Sequence, residues 1–341
     1  MGDCFRVVLD AMGGDNAPQN ELGGAIQASA SLSARGVEHT LLLVGNRVRI
    51  ELELQRLGKN LPQTVEIVDS PDAVTMHDDP ATVVRTKSQS SLVQGLELLR
   101  NNRADAFISA GNTGAVLSAA TLLLGRIRGV ARPTIGAFFP TLTGKPCLVL
   151  DVGANAEVKS QFLYEFAIMG SLYAQLVGGV ERPRVGLLNI GEEPSKGTET
   201  VRQAYELLVR DGVNFIGNVE GRDIFGGKAD VIVCDGFTGN VVLKFAESIM
   251  PMLKAVLRRF SERSFLAKLA VAVIAPMLRR MLADFDYQKY GGVPLLGVRG
   301  VVIIGHGKST PLAITNMILR AWEMHRIRLN DRIEQALGGA F

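Results

Sequence analysis

Two rhythms of apolar and polar positions alternate along the chain. Short runs rich in β-branched residues, bounded by polar or glycine-bearing turns, predict strands at residues 5–9, 40–44, 64–68, 104–108, 134–139, 147–150, 184–188, 214–216 and 301–304. Between them, apolar residues three and four apart predict helices at 18–33, 47–57, 80–101, 157–176, 198–210 and 311–326, and another from a turn at 111–114 to 124. Strands alternating with helices predict an α/β fold with a largely parallel sheet. From residue 241 the helical rhythm continues to about 290, interrupted near 261–264, which predicts a helical hairpin at about 245–290 inserted in a single α/β domain of residues 1–341.

One stretch shows how the strands end. Residues 230–244 read Asp-Val-Ile-Val-Cys-Asp-Gly-Phe-Thr-Gly-Asn-Val-Val-Leu-Lys: an apolar strand, an acid and a glycine, then a helix start. Similar turns follow at 9–14, 108–114, 151–155, 189–191 and 304–307. Glycine lets backbone N–H groups approach a ligand, and the free N–H groups of a helix start favour an anion. In a parallel sheet such strand ends lie along one edge, so one shared ligand site is expected.

Composition narrows the class. A chain of 341 residues, 47% hydrophobic and 21% charged, buries a large core. A net charge of +3, without long basic runs or interleaved aromatics, argues against nucleic acid. Cys4, Cys147 and Cys234 are odd in number and far apart, which suits a reducing cytoplasm. The first strand follows the N-terminus with no room for a signal peptide, so a cytoplasmic location is expected. Residues 251–290 hold eight Lys and Arg against three Asp and Glu, a net of +5. Within them 269–278 is uncharged, too short to span a bilayer and flanked by Lys268, Arg279 and Arg280. Such a segment, with Phe265, Leu266, Leu269, Val273 and Ile274 as contacts, suits the interface of an anionic membrane. A buried dimer interface is the other reading, and the two are compatible.

Familiar motifs fail on inspection. Gly307-Lys308-Ser309-Thr310 ends like a phosphate-binding P-loop, but its first glycine is replaced by Val302. Gly305-His306-Gly307 begins like a dinucleotide fingerprint, with Thr310 where its third glycine belongs. No H-E-x-x-H or close pair of histidines exists, so metal catalysis could rest only on scattered carboxylates, and no loop completes the dinucleotide fingerprint; no metal or cofactor is expected. Cys234 is either a nucleophile or a buried strand residue; its apolar run favours the latter. His306 is the best-placed histidine, as acid, base or cap. Lys196 sits in a loop feeding a helix, where a cation can neutralise phosphate or an oxyanion, or simply be solvated. Asn112, Asn155 and Asn240 each suit a turn or donate to a ligand. Lys87 with Ser90 and Ser91 offers phosphate donors or an exposed helix face.

Taken together in order, Asp10 to Pro18, Ser109 to Ala115, Asp151 to Asn155, Asn189 to Gly191, Gly217 to Gly221, Asp235 to Asn240 and Gly305 to Gly307 resemble the bacterial phosphate acyltransferase (PlsX) family. The resemblance runs from Val7 to about Ala321. It implies a Rossmann-like, doubly wound three-layer sandwich related to the isocitrate and isopropylmalate dehydrogenases. It implies transfer of a long-chain acyl group from acyl carrier protein to inorganic phosphate, giving acyl phosphate for phospholipid synthesis. It also implies a homodimer at the inner face of the membrane, supplying a glycerol-phosphate acyltransferase. Lys196 and Asn240 match its active site. Asp10, Gly13, Gly14, Asn16, Lys87, Ser109, Gly111, Asn112, Thr113, Asn155, Asp235, Gly236, Thr238 and Gly239 follow as expected pocket lining, and His306 as a phosphate ligand or acid. A metal- or NAD-dependent dehydrogenase of the related fold and a non-catalytic scaffold that binds acyl carrier protein remain as alternatives.

Overall fold

The computed structural model describes residues 4–210, 212–281 and 292–338. Its strands are β1 (Phe5–Asp10), β2 (His39–Gly45), β3 (Val65–Asp69), β4 (Ala106–Ser109), β5 (Thr134–Phe139), β6 (Cys147–Leu150), β7 (Val185–Leu188), β8 (Phe215–Val219), β9 (Val231–Val233), β10 (Val293–Leu296) and β11 (Val301–Ile304). They form one 11-stranded sheet in the order β3-β2-β1-β4-β11-β10-β5-β6-β9-β7-β8. The helices are α1 (Gln19–Ala34), α2 (Arg47–Leu57), α3 (Val83–Thr86), α4 (Ser91–Arg100), α5 (Thr113–Leu124), α6 (Ser160–Leu176), α7 (Glu199–Arg210), α8 (Gly221–Gly226), α9 (Gly236–Ser261), α10 (Phe265–Met281), α11 (Pro311–Arg326) and α12 (Leu329–Leu337).

The strands are apolar on both faces because both faces are covered. Val7 and Leu9 of β1 join the core beneath α1, α6, α7, α11 and α12, while Val8 joins the core beneath α4, α5 and α8. Ile303 and Val302 of β11, and Val233 and Ile232 of β9, divide in the same way. This is the three-layer α/β architecture expected from the sequence.

The direction of the strands corrects one expectation. Strands β1, β2, β3, β4 and β11 run parallel; β10 is antiparallel to both β11 and β5, and β5 is antiparallel to β6. Strands β6, β9, β7 and β8 are again mutually parallel, now opposed to the first group. The glycine-bearing loops therefore do not share an edge. Those after β1, β4 and β11 open at one edge, here called the top, and those after β6, β7 and β9 at the bottom. Four-residue strands at about 3.3 Å per residue set the edges roughly 13 Å apart.

The two halves repeat one frame. At the start of β1 the backbone N–H of Arg6 donates to Asp105 at 2.7 Å while its guanidinium grips the same carboxylate at 2.8 Å. Just before β7 the N–H of Arg184 donates to Asp230 at 2.8 Å and its guanidinium binds it twice at 3.0 Å. In each case the aspartate immediately precedes a strand paired with the arginine's own, β4 beside β1 and β9 beside β7.

Local differences from the predicted elements have identifiable causes. The helix expected over 80–101 divides into α3 and α4 because Ser90 is extended and caps α4, accepting from the Val93 N–H at 3.4 Å. Strand β10 escaped notice because it is four residues long with Pro294 inside it. Helices α8 and α12 are short and were not predicted. Of the hairpin, α9 and α10 are observed with the break after Ser261; residues 282–290 lie outside the described residues.

Helix α1 packs on α11 through glycine. A Cβ on Gly24 would overlap Ile314, and one on Gly23 would lie 3.0 Å from Pro311. Overpacking of this kind costs about 1–3 kcal/mol. Gly24→Val is expected to lower the urea midpoint accordingly, with the slope of the transition unchanged; an unaltered midpoint would show that the two helices separate freely.

Candidate active site

The bottom edge is organised around a buried carboxylate. Asp151, at the end of β6, is 0% exposed. Its Oδ1 accepts from the N–H groups of Gly153 at 3.0 Å and Ala154 at 2.9 Å, and its Oδ2 from the N–H and the Nδ2 of Asn155, both at 2.8 Å. Burial raises the Asp151 carboxyl above its ordinary range, and these bonds oppose the shift. They also wrap the loop 151–155 tightly around its first residue.

Helix α9 starts against that loop. Asp235 caps it, accepting from the Thr238 N–H at 2.8 Å and the Thr238 hydroxyl at 2.7 Å. Gly236 donates to the Asn155 carbonyl at 2.8 Å, and a Cβ on Gly239 would overlap the carbonyl oxygen of Asp151. Glycine is required at both positions by this close approach. The result is that Asn240 lies over Gly153, whose absent Cβ would stand 3.6 Å from the Asn240 Cγ. Cys234 faces inward: its thiol donates to the Asp151 carbonyl at 3.4 Å, and burial pushes its pKa well up, which disqualifies it as a nucleophile.

The loop after β7, at the neighbouring strand end, carries Lys196. Lys196 is exposed, and no carboxylate among the described residues pairs with its ammonium. Of the two acids in its loop, Glu192 binds Lys228 at 2.8 Å, and Glu193 lies with the Lys196 stem beside Gly191 without an ion pair among the described residues. The bottom edge thus brings together Asn155, Asp235, Gly236, Thr238, Gly239, Asn240 and Lys196, with an uncommitted cation, a side-chain amide and a helix N-terminus.

The top edge holds the rest. Asp10, 2% exposed, accepts from the hydroxyls of Ser91 at 2.6 Å and Ser109 at 2.7 Å and from the Met12 N–H at 3.1 Å. Gly13 packs on Gly111, and the Asp15 N–H donates to the Gly307 carbonyl at 2.7 Å, joining three loops. Asn16 is exposed beside them. Asn112 caps α5, which begins at Thr113, its Oδ1 accepting from the Ala115 N–H at 3.1 Å and its Nδ2 donating to the Thr75 carbonyl at 3.4 Å. Lys87 is tied to Asp72 at 3.3 Å, Asp78 at 3.5 Å and the Ala73 carbonyl at 2.9 Å, so its charge is spent on its own loop. His306 is exposed here and its Nδ1 accepts from the Lys308 N–H at 3.0 Å. Within one chain, His306 and Asn112 therefore stand at the opposite edge from Lys196 and Asn240, against the expectation of one constellation.

Sequence reading missed Glu21. It is 1% exposed in the first turn of α1, its Oε1 pressed against Gly14 and its Oε2 without a partner among the described residues. Burial pushes its carboxyl up to about 8, and the charges of Asp10 and Asp15 add to the shift. The one signal in the sequence is an acid preceding the apolar face of α1.

A family model described as a fatty acid synthesis protein matches residues 5–332. Over 334 residues the chain is 47% identical to a phosphate acyltransferase of Gloeobacter violaceus, covering 97% of this chain and 96% of that one. Its fold is similar to that of the EutD phosphotransacetylase from Staphylococcus aureus, with a TM-score of 0.60, 17% identity and 95% of each chain covered. It is also similar to a putative 4-hydroxythreonine-4-phosphate dehydrogenase from Salmonella typhimurium, with a TM-score of 0.50, 13% identity and 93% and 99% coverage.

Because the Glu21 carboxyl keeps its proton in the fold while the unfolded chain releases it near 4.5, stability falls as pH rises from about 4.5 to about 8. At 1.36 kcal/mol per pKa unit the loss is roughly 4–5 kcal/mol. Glu21→Gln is expected to melt higher than the parent at pH 8 and to lose that advantage at pH 4; a difference independent of pH would contradict the buried neutral acid.

Proposed function

This chain belongs to the fatty acid synthesis protein family, and we propose that it transfers a long-chain acyl group from the thioester of acyl carrier protein to inorganic phosphate. It is a phosphate acyltransferase of lipid synthesis. What supports the finer reading is that Lys196, whose ammonium pairs with no carboxylate among the described residues, and Asn240 at the start of α9 stand on the loops that follow the adjacent strands β7 and β9.

Phosphate is already a nucleophile, so the reaction needs placement and charge stabilisation in place of a covalent enzyme intermediate. Lys196 and the N–H groups of the glycine loops hold the phosphate. One of its oxygens attacks the thioester carbonyl carbon, and the Asn240 amide donates to the oxyanion that forms. Collapse breaks the C–S bond, releasing acyl phosphate and a carrier thiolate that takes a proton from water. The opposite position of His306 leaves it out of this sequence within one protomer. Asn155, Asp235, Gly236, Thr238 and Gly239 shape the floor beneath the reacting groups.

The product is amphiphilic, and we assign its delivery to the membrane surface. What supports this is the hairpin: Phe265 is 80% exposed, Val273 72%, and Leu266, Leu269 and Ile274 are exposed beside them. Lys254, Arg258, Arg259, Arg263 and Lys268 suit the anionic headgroups of the inner leaflet. No described helix is long and apolar enough to cross a membrane. The exposed apolar side chains Phe245, Met252, Val256 and Phe260 of α9 suit a homodimer in the same molecule, and a glycerol-phosphate acyltransferase is the consumer that the family resemblance implies.

Incubation with long-chain acyl carrier protein and phosphate, with no metal or nucleotide added, is expected to release carrier thiol and acyl phosphate trappable by hydroxylamine. Loss of an oxyanion donor typically costs ~100-fold or more in turnover. Asn240→Ala is expected to lose turnover on that scale while folded, and Lys196→Ala to lose kcat/KM for phosphate chiefly through a raised KM; near-parental kinetics in both would remove these residues from the mechanism. In liposome flotation, Leu269→Glu with Val273→Glu is expected to leave the protein at the bottom of the gradient, and unchanged flotation would refute membrane contact through α10.

A further inference from the structure

The loop that carries Lys196 is held by two asparagines that the reaction itself does not use. Asn189, directly after β7, accepts the Ile190 N–H on its Oδ1 at 2.8 Å and donates from Nδ2 to the Lys196 carbonyl at 3.0 Å. Its amide fills the space beside Gly197, whose φ is +88° and whose absent Cβ would lie 2.6 Å from the Asn189 Oδ1. Asn218, on the adjacent strand β8, is 2% exposed and donates from Nδ2 to the Glu193 carbonyl at 2.9 Å. That same carbonyl accepts the Lys196 N–H at 3.1 Å. The two asparagines are joined through the sheet, because the Asn189 N–H donates to the Val219 carbonyl at 2.8 Å.

Both ends of the Glu193-to-Lys196 turn are thus fixed from neighbouring strands. Asn218 performs this at a cost, since its Oδ1 is buried with no partner among the described residues. An unsatisfied buried acceptor is destabilising, and the amide stands here against that cost. The bond to Glu193 is what the amide adds. Lysine is a point charge on a flexible four-carbon stem, and its contribution to holding a phosphate depends on where the backbone beneath it stands.

We infer that Asn189 and Asn218 are positioning residues that aim Lys196 at the phosphate, by clamping the carbonyls of Lys196 and Glu193. This rests on the reading of Lys196 as the phosphate-holding cation. Misplacing a binding group by about 1 Å can cost up to ~100-fold, and a loosened loop is the milder case, so Asn218→Ala is expected to raise KM for phosphate about tenfold. kcat and KM for the acyl donor should change by less than about twofold, because a group that contributes uniform binding appears in KM alone.

The test is a double-mutant cycle in the full-length protein, with phosphate varied, for Asn218→Ala, Lys196→Ala and the pair. The proposal expects the pair to be no worse than Lys196→Ala alone. Multiplicative losses in the pair, or equal effects of Asn218→Ala on kcat and on both KM values, would overturn it while leaving Lys196 in place. An ordinary phosphate dependence in Lys196→Ala would instead overturn the reading of Lys196 and this inference with it. Should Asn218→Ala fail to show a cooperative melt, Asn189→Ala enters the same cycle with the same expected outcomes.

Discussion

A carboxylate taken wholly out of water must be surrounded by donors, and Asp151 finds nearly all of its donors in the five residues that begin with itself. That requirement dictates the path of the loop, and the loop dictates what can rest on it. Gly236 and Gly239 lie so close to its backbone that no side chain fits, which sets the first turn of α9 and with it the direction of Asn240. The amide proposed to meet the oxyanion is therefore placed by an acid that never touches substrate. At the top edge Asp10 solves the same problem with hydroxyls from α4 and β4, so there the buried carboxyl ties separate elements together.

The reversal of strand direction through β10 and the β5-β6 hairpin turns one sheet into two opposed halves. Each half carries the same arginine-aspartate clip, and in each a capping side chain opens the next helix: Asn112 accepts from the Ala115 N–H and Asp235 from the Thr238 N–H. Both helices start at a glycine-rich turn after a buried strand. The caps differ in chemistry, an amide in one half and a carboxyl in the other. The frame is shared and the chemistry is not.

Much of this was legible in the residues. Strands at 134–139, 147–150 and 301–304 and helices at 47–57 and 311–326 agree with the structure to the residue, because period and punctuation coincide there. Local pattern specifies what each strand is but not which way its neighbours run. The opposed halves, and hence the separation of His306 from Lys196, depend on pairings made by the four-residue β10 with its internal proline. Glu21 and Asn218 were hidden for a different reason: a buried polar residue looks like a surface one until the residues packed on it are known.

The opposed halves also shape the field around the molecule. Helices α1, α2, α4, α5 and α11 begin at the top edge, and α6, α7, α8 and α9 begin at the bottom. Each helix carries about half a positive charge at its start and half a negative one at its end. In an all-parallel sheet these would add to a molecular dipole that turns an approaching anion toward one end. Here they largely cancel, leaving a quadrupole whose influence fades faster with distance. An anionic partner is thus oriented late in its approach, by local charges such as Lys196 and the basic helices of the hairpin.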